Sequence, residues 1–496
     1  MTTAATPPRV DEVVASLAAF ETVPDWLAAG MSPERVGAAL VGAVRELATG
    51  ELRLVECLPE LLRAKERDWV ARYRVRVESG SGEAGETGEV TLVGRLWPPG
   101  REVPAGVVES GGGGAAAASA AFGEAGWGCW LPGVRLDLRV EQRDPGLPAL
   151  RVLTEPGLAA ELLQRVLRER GYAGARITGC APRVVRYKPG SRCTVVVDLA
   201  YAEPVGRPAP PHRVVLKTHH GDKGLTAWAA MNALWDRPEV WRGRLHLAEP
   251  LGFLPEDLIL VQGPVPEEQT LKDLVRSAVG AGTPEALAGL RAALETTAVA
   301  LAAIHGSGAR FGRETTLAGE LDDIAEVAER LAWTVPALAD GAGSFLARHR
   351  ELDAGCPAGA TGPAHHGFRP AQVLLHGGEV GFIDFDGAGM AEPALDLGRF
   401  RSNVRSIGIG ALLERDPGLL DRPFEDELGL LDDLCEEFLS AYQAHAPVAR
   451  ERVLLWEGAD LFTSLLHAWT KVRLQRLEPR LALLRHHLLS GRVDFA

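Results

Sequence analysis

The sequence lacks the signals of several common protein classes. Its six cysteines are dispersed and form no Cys-x-x-Cys pair, which argues against a regular zinc site and a disulfide scaffold in a chain of 496 residues. No run of about 18 uncharged apolar residues is present. Charged side chains are spread through the first 30 residues, so we expect neither a membrane-spanning helix nor a secretory signal. The formal net charge of −13 argues against a nucleic acid or an anionic membrane as the main partner.

What is present is typical of a globular chain. Apolar residues make up 46% of the sequence and charged residues 24%. The length allows about two to four domains, with buried cores that need neither disulfides nor structural metals. We expect the cysteines to be reduced thiols in a cytoplasm.

Two stretches of the first half resemble each other at a constant offset of 123 residues. The segment LRLVECLPELLRAKE (52–66) aligns with ARITGCAPRVVRYKP (175–189), and further downstream Arg95 stands opposite Lys217. Chance similarity is the alternative in a chain so rich in Ala, Arg and Gly. The constant order of the matches favours a duplicated supersecondary unit.

Each copy of this unit is predicted to consist of strands followed by a helix. In the first copy, 70–77 and 89–97 have the alternating or β-branched pattern of strands, with an acidic, glycine-rich hairpin connection at 78–88. The segments 111–121 and 221–231 are the glycine-punctuated helices that end the two copies. We expect the first copy to be a degenerate cap domain that resembles the small lobe of the second.

Long helices dominate the sequence after Gln262. Apolar residues recur at three- and four-residue spacing in 284–308, 317–339, 424–446 and 450–477. An extended segment, 258–266, joins these helices to the strand-rich part. The pattern predicts an α+β chain with a strand-rich small lobe, a helical large lobe and a cleft between them. The predicted domains are 1–150, 151–264 and 265–496.

Three motifs lie between the second and third of these helices. They are HHGFRPAQVLL (365–375), FIDFD (382–386) and AEPALDLGRF (391–400). In order, they resemble the His-Gly-Asp-x-x-Pro-x-Asn loop, the Ile-Asp-Phe/Trp segment and the Asp-containing helix start of the aminoglycoside phosphotransferase and choline kinase-like family. The resemblance extends over about Arg176 to Leu484. It implies a bilobal protein kinase-like fold that binds ATP and Mg²⁺.

Three residues are candidate metal ligands. Phosphoryl transfer needs phosphates and Mg²⁺ held in line, and Mg²⁺ prefers oxygen donors. Asp384 follows a strand-like run and precedes a turn, so it is predicted to bind the metal, with turn capping as the alternative. Gln372 stands where the family usually has Asn, as in maltokinase-like relatives, with a polar loop residue as the alternative. Asp386 either adds a carboxylate or caps the next turn, and Asp396 is expected to accept backbone N–H bonds from the loop.

The proton acceptor that the family uses is absent. Gly367 stands at the position of the catalytic aspartate, and no Asp or Glu lies between Asp353 and Glu379. Glycine accepts no proton, so the general-base contribution of about 10²–10⁴-fold is lost at this position. His365 and His366 are candidates for a replacement base because histidine titrates near neutral pH, with a structural role in the loop as the alternative.

The small lobe contains the residues that the resemblance assigns to the nucleotide. Lys217, inside a β-branched strand, stands at the family's phosphate-contacting lysine, with an edge-strand lysine reaching solvent as the alternative. Gly190 and Ser191 form a turn that is a candidate for lying over the phosphates, and Gln262 is a candidate contact where the lobes join. The helix after Lys217 contains no Glu, so the ion pair that orients this lysine in kinases is absent or comes from elsewhere. In the first copy Arg95 replaces the lysine, and we expect no nucleotide there.

A second group of polar residues has some features of a metal site. His219, His220, Asp222 and His246 lack the regular spacing of metal ligands. Paired histidines without such spacing are usually solvated. We therefore expect this group at the surface.

Three functions of different class fit these residues. The favoured prediction is a pseudokinase or weak phosphotransferase that binds Mg·ATP in the cleft. The alternatives are an active kinase acting on a hydroxyl of a small molecule or peptide, and a nucleotide-free module that binds a peptide or another partner. Retention of Lys217, Gln372 and Asp384 favours nucleotide binding, and loss of the base favours the first function over the second. The sequence identifies neither the acceptor nor the oligomeric state.

Overall fold

The computed structural model describes residues 7–65, 68–79, 87–105, 107, 121–124, 126–141, 147–188, 190–202, 208–241, 245–422 and 425–490. Contacts divide the chain into two compact units. Unit 1 comprises Met1–Arg143, Leu321–Arg350 and Phe462–Arg485. Unit 2 comprises Asp144–Glu320, Glu351–Leu461 and His486–Ala496. Two segments that the sequence assigns to the helical large lobe thus belong to unit 1, and the three-domain division stays a prediction.

Unit 1 is built on a five-stranded antiparallel sheet in the order β1-β2-β3-β5-β4. Its strands are β1 (Leu52–Lys65), β2 (Asp68–Ser79), β3 (Thr87–Leu96), β4 (Gly128–Leu131) and β5 (Leu136–Val140). The helices before the sheet are α1 (Val10–Ser16), α2 (Asp25–Ala29), α3 (Pro33–Ala43) and α4 (Arg45–Ala48). The strands predicted at 70–77 and 89–97 are confirmed within β2 and β3. Residues 80–86 of the predicted hairpin connection and 111–120 of the predicted helix lie outside the described residues.

Aromatic side chains join parts of unit 1 that are distant in sequence. Phe20 packs edge-to-face on Phe462 with ring centroids 5.8 Å apart, and Phe345 stacks on Phe462 at 4.1 Å. Trp469 donates its indole N–H to the carbonyl oxygen of Phe20 over 3.1 Å. Large rings bury much apolar area, and a buried indole N–H needs a partner of this kind. These contacts explain why the two later segments group with the N-terminal residues.

The small lobe of unit 2 is a second five-stranded antiparallel sheet, in the order β10-β11-β8-β7-β6. Its strands are β6 (Ile177–Lys188), β7 (Arg192–Tyr201), β8 (Arg213–His219), β10 (Pro250–Leu254) and β11 (Ile259–Gln262). The helices of this region are α5 (Leu150–Thr154), α6 (Pro156–Glu169), α7 (Lys223–Trp235) and α8 (Pro238–Trp241). The apolar face of α6 places Leu163 and Val166 in one core with Val195, Leu216 and Val261 of the sheet.

The two sheets share their topology and their register. Counted from its own first strand, each sheet has the strand order 1-2-3-5-4. In the first sheet Val70 pairs with Arg95, and in the second Thr194 pairs with Lys217. These pairs occupy the same place in the two sheets, as the sequence alignment of Arg95 with Lys217 requires. The repeated order and register support a duplication.

A turn with the same unusual backbone conformation in both sheets further supports a duplication. The hairpin before the last-numbered strand of each sheet contains a non-glycine residue in the left-handed region, Arg135 in the first sheet and Leu258 in the second, both with φ of 51°. Non-glycine residues adopt positive φ rarely. The sequence signal is a Leu-Pro pair at 131–132 and again at 254–255, with the same offset of 123 residues as the segments 52–66 and 175–189.

Short strands hold two loops of unit 2 side by side. These strands are β9 (Leu245–Leu247), β12 (Gln269–Thr270), β13 (Gly362–Ala364), β14 (Val373–His376), β15 (Glu379–Phe382) and β16 (Gly389–Ala391). β13 pairs with β16 and β14 pairs with β15, while β15 also pairs in parallel with β9. β13 and β14 flank the loop 365–372, and β15 and β16 flank the loop 383–388. Because β13 pairs with β16 and β14 pairs with β15, the two loops lie side by side.

Long helices form the rest of the described chain. They are α9 (Leu271–Ala281), α10 (Pro284–His305), α11 (Leu317–Ala332), α12 (Leu338–Gly355), α13 (Ala394–Arg415), α14 (Glu425–Gln443), α15 (Arg450–Thr470) and α16 (Leu477–Leu489). The four predicted helices are confirmed, although the one predicted at 317–339 ends at Ala332. Pro336 lacks a backbone N–H and restricts the residue before it, so the helix stops ahead of it. The predicted α+β class, with a strand-rich lobe, a helical lobe and an additional strand-rich region, is confirmed.

Of the described helices, α10 alone has the length and hydropathy that a membrane span requires. A core helix passes the same test, so this is weak evidence for a span. α10 buries Leu290, Leu294 and Leu301 and packs against α14.

Helix α13 packs closely on α15 through a glycine and a buried ion cluster. A Cβ at Gly398 would lie 2.6 Å from the backbone nitrogen of Glu457 and 2.7 Å from Cβ of Trp456. Glu457 binds two buried arginines of α13, with 2.7 Å to Nε of Arg401 and 2.5 Å to Nε of Arg405. Charges this deeply buried are tolerated only when each keeps its partner. The close approach at Gly398 is what brings Glu457 within reach of both arginines.

We predict that Gly398→Ala lowers the free energy of unfolding by about 1–3 kcal/mol, because the added methyl group forces α13 and α15 apart. The matched control is Gly410→Ala on the same helix, where no atom lies within 4 Å of the new Cβ. Alanine is the better helix former, so the control is expected to be neutral or stabilising. Urea denaturation of both variants measures the difference, and equal midpoints would contradict the close packing.

Candidate active site

The loop 365–372 is fixed by one buried carboxylate. Asp396, at the start of α13, accepts hydrogen bonds from the backbone N–H of His365 at 2.6 Å and of His366 at 2.7 Å. His305 Nε2 lies 3.1 Å from the same carboxylate. Burial alone would raise the pKa of Asp396, but these interactions, led by the hydrogen bond with His305, hold it below its usual value. The loop-fixing role predicted for Asp396 is confirmed.

Gly367 stands at the predicted base position, and the backbone conformation there does not require glycine. Its φ lies outside the left-handed region, and a Cβ there would meet Gln372 Nε2 at 3.8 Å and His365 Nδ1 at 3.9 Å, both ordinary contacts. A Cβ atom therefore fits at this position. The absence of a carboxylate is a property of the sequence and not of the loop geometry.

His365 and His366 are both held inside the protein. His365 is 1% exposed, its Nε2 lies 3.0 Å from the carbonyl oxygen of Ile383, and burial lowers its pKa. His366 has a φ of 66°, and its Nε2 lies 2.9 Å from Oγ1 of Thr315. Burial, followed by the charge of Arg399, lowers the pKa of His366 to about 4. Both side chains act in the loop structure, and base function for either stays a prediction.

Lys217 meets Asp384 across the cleft between the lobes. The Nζ atom of Lys217 on β8 donates to Oδ1 of Asp384 over 2.8 Å, and both side chains are largely buried. Asp384 follows β15 with a φ of 74°, a strained conformation for a non-glycine residue that aims its carboxylate at the small lobe. The sequence left the partner of the lysine open, and the structure identifies it as Asp384.

The carboxylate of Asp384 is strongly stabilised in its ionised form. Burial raises its pKa, but the charge and hydrogen bond of Lys217, together with the charge of Arg192, hold the pKa well below its usual range. Asp384 is therefore an anion at neutral pH.

Asp386 lies beside this pair and contacts His219, which we expected at the surface. Its Oδ1 is 3.6 Å from Lys217 Nζ, and its Oδ2 is 2.7 Å from Nε2 of His219. The expectation that His219 is solvated is wrong, because the side chain is only 3% exposed. His219 ends β8, and the pairing of that strand end with Arg192 of β7 turns it toward the site. His246 contacts Glu379 at 2.5 Å, away from this cluster.

The residues around Asp384 fit an oxygen-ligated cation. Gln372 places its Nε2 3.4 Å from Oδ2 of Asp384. Its Oε1 and Oδ1 of Asp386 are buried and accept no hydrogen bond, whereas Oδ2 of Asp386 is in close contact with His219. Within the described residues no cluster of three or more His, Cys, Asp or Glu is suited to a metal. Two carboxylates and one amide oxygen suit Mg²⁺, which usually takes few protein ligands and completes its shell with phosphate and water.

The hairpin between β6 and β7 lies next to the end of β8. Gly190 has a φ of 62°, which glycine adopts without strain, and the backbone N–H of Ser191 donates to Lys188 O over 3.0 Å. Ser191 in turn accepts from the N–H of His220 at 2.9 Å. Gln262 ends β11 as a buried residue whose backbone pairs with β8 and β10. Phosphate contacts at Gly190, Ser191 and Gln262 stay predictions.

Sequence reasoning missed two arginines of the site. Arg192 directly follows the Gly190–Ser191 turn, and its NH1 lies 3.7 Å from Asp384 Oδ2. Arg399 binds the carbonyl oxygen of His366 and so holds the loop from its other side. The sequence signal for both arginines was their position close to predicted site residues. Arg192 directly follows the Gly190–Ser191 turn, and Arg399 lies three residues after Asp396.

A protein-family model matches part of the chain. Residues 241–431 match the model of the family described as "Phosphotransferase enzyme family". Among curated protein sequences, none is significantly similar to this chain.

Several solved structures resemble the chain. A choline/ethanolamine kinase family protein from Mesorhizobium loti has 16% identity and a TM-score of 0.42, covering 67% of this chain and 96% of that protein. A glucosamine kinase in complex with glucosamine, ADP and inorganic phosphate has 18% identity and a TM-score of 0.46, covering 67% and 86%. Another glucosamine kinase structure has 17% identity and a TM-score of 0.43, covering 93% and 98%.

The matched segment contains both loops of the site, whereas Lys217 and the β6–β7 hairpin precede it. Unit 2 has a strand-rich lobe and a helical lobe, the two-lobed α+β arrangement that the sequence predicts. Over residues 241–431 the chain is similar to the phosphotransferase enzyme family.

Proposed function

We propose that unit 2 binds a nucleoside triphosphate with Mg²⁺ in its interlobe cleft, and that the protein is a pseudokinase or a weak phosphotransferase. The observation that carries the proposal is the contact between Lys217 and Asp384, beside oxygen atoms of Asp386 and Gln372 that accept no hydrogen bond. A lysine that grips phosphate and adjacent oxygen ligands are the parts that a metal-bound triphosphate requires.

Each of these residues has a defined task in the proposal. Lys217 exchanges its carboxylate partner for a phosphate oxygen, so its charge stays compensated when the nucleotide enters. Asp384, Asp386 and Gln372 would hold Mg²⁺ through their oxygens. When bound, the metal neutralises charge on the phosphates and on the transition state.

The step without a residue is proton removal from the acceptor. Gly367 offers no acceptor atom, so positioning and electrostatic stabilisation are the contributions that remain. This supports a nucleotide-binding role or slow transfer over efficient catalysis. The acceptor of such slow transfer would be a hydroxyl of a small molecule or peptide.

An active kinase with His365 as the proton acceptor is the second candidate. One observation favours it: Nδ1 of His365 has no hydrogen-bond partner and lies 3.9 Å from where a Cβ of Gly367 would be. The near-complete burial of this imidazole opposes it, because a base must come within hydrogen-bond reach of the acceptor hydroxyl. A nucleotide-free binding module is less favoured, since it gives no reason for the Lys217–Asp384 contact.

The cytoplasm is our proposal for the compartment. It is supported by the six cysteines, none of which forms a disulfide in the described chain. Neither a nucleic acid nor a membrane is proposed as a partner.

We predict that Mg·ATP raises the thermal midpoint of the protein and that Asp384→Ala removes the effect. A ligand at 100 times its dissociation constant adds roughly 2.7 kcal/mol to the free energy of unfolding. The control is Asp198→Ala, an exposed carboxylate on β7 that pairs with Arg213, and it keeps the shift. Differential scanning fluorimetry measures each variant against its own ligand-free midpoint. No shift of the wild-type midpoint at millimolar Mg·ATP would contradict the proposal.

We predict that Gly367→Asp raises the rate of phosphate release from ATP by about 10²–10⁴-fold, because it restores the one missing group in a loop with room for it. Water serves as the acceptor in this assay. Gly367→Asn is the matched control, since it has nearly the same size and accepts no proton at neutral pH. Equal rates for the Asp and Asn variants would show that more than the base is missing.

A further inference from the structure

Arg192 is fixed at the edge of the candidate nucleotide site by strand pairing. It begins β7 directly after the hairpin turn and pairs with Lys188 on one side and His219 on the other. His219 is two residues beyond Lys217 on β8, so Arg192 and Lys217 both lie near that end of the sheet. The register fixes the backbone position of Arg192 at this end of the sheet.

The guanidinium group of Arg192 faces both carboxylates but uses few of its donors. Its NH1 lies 3.7 Å from Oδ2 of Asp384 and 3.6 Å from Oδ2 of Asp386, distances typical of an ionic contact and longer than a hydrogen bond. The side chain is 18% exposed. No side-chain hydrogen bond from Arg192 occurs within the described part of the chain. Arginine carries five N–H donors in a rigid fork, so a partly exposed guanidinium with unused donors is available to an acceptor that enters the site.

The surrounding charges identify this acceptor as an anion. Lys217 and Arg192 already balance the carboxylates of Asp384 and Asp386. Burial, and then repulsion from Arg192 and Arg369, lowers the pKa of Arg186 on β6, which shows further positive charge close by. Positive charge in excess of the carboxylates favours a ligand with several negative charges, such as a polyphosphate chain.

We propose that Arg192 bridges the carboxylates of Asp384 and Asp386 to the phosphate chain of a bound nucleotide, so that the nucleotide binds without a divalent cation. This inference rests on the proposed nucleotide site and extends it. A guanidinium can donate to a carboxylate and to a phosphate at the same time, which places positive charge between two groups that would otherwise repel. In phosphotransferases a divalent cation normally does this. The site therefore retains nucleotide when the metal is absent.

The first sheet offers a contrast within the same chain. By register, the position of Lys217 is held there by Arg95, and the position of Arg192 by Asp68. Because Asp68 is acidic, the first sheet lacks the second positive charge at this position. The combination of lysine and arginine is thus specific to the second copy.

The experiment is isothermal titration calorimetry of ATP into the full-length protein, once with Mg²⁺ and once with EDTA. The variants are Arg192→Ala, Arg192→Lys, which keeps the charge without the fork, and the control Arg213→Ala. Arg213 is an exposed arginine at the opposite end of β8, paired with Asp198. The thermal midpoint of each variant is recorded to confirm that it is folded.

We expect wild-type protein and Arg213→Ala to bind ATP in EDTA within about tenfold of their affinity in Mg²⁺. Arg192→Ala is expected to lose more than about tenfold in EDTA and less in Mg²⁺, because the metal compensates for the missing charge. Arg192→Lys falls between them. Titration with inorganic tripolyphosphate in EDTA is expected to show the same order of variants.

Two outcomes would overturn the inference, and they are distinguishable. Wild-type binding in Mg²⁺ but not in EDTA, or an equal loss for Arg192→Ala in both conditions, would refute the role of Arg192 and leave the proposed function intact. Absence of ATP binding in both conditions would refute the proposed function and the inference with it.

Discussion

The ion pair between Lys217 and Asp384 is the contact on which the candidate site depends. It links a strand of the small lobe to the loop after β15 in the large lobe over 2.8 Å. Two buried charges are tolerated only while each compensates the other, so a ligand that separates them must replace both partners. A polyphosphate would take the place of Asp384 as the partner of Lys217. A cation would take the place of Lys217 as the partner of Asp384. The pair thus defines what the cleft can accept.

The loop 365–372 of the large lobe is held in place by residues other than Gly367. Asp396 accepts two backbone hydrogen bonds from the loop, and Arg399 holds the carbonyl oxygen of His366. The pairing of β13 with β16 and of β14 with β15 fixes the loop ends. The residues that position the loop are distinct from Gly367 at the predicted base position, so the loop geometry does not depend on a carboxylate there.

Local patterns predicted much of the fold and several parts of the site. The strand patterns and helical periodicity identified the sheets and the four long helices, and the spacing of the motifs placed Lys217 and Asp384 as candidates. Asp396 was assigned its role because a carboxylate at a helix start can reach a preceding loop. These features depend on short sequence separations or on a fixed motif order.

Other features depend on tertiary contacts that leave no local pattern. The partner of Lys217 lies 167 residues away, so the missing Glu in the helix after it gave no hint of Asp384. His219 has the sequence surroundings of a surface histidine and is buried only because β8 ends beside Asp386. The grouping of Leu321–Arg350 with unit 1 arises from aromatic contacts such as Phe345 with Phe462. Arg192 was adjacent to a predicted phosphate turn but carried no motif of its own.

The most direct test of the account is a crystal structure of the protein with a non-hydrolysable ATP analogue and Mg²⁺. The account predicts that Lys217 Nζ leaves Asp384 for a phosphate oxygen at about 2.8 Å and that Asp384 coordinates the metal. Because glycine has no side chain, Gly367 places no proton-accepting group near the acceptor position. A nucleotide bound elsewhere, with the Lys217–Asp384 pair intact, would contradict it.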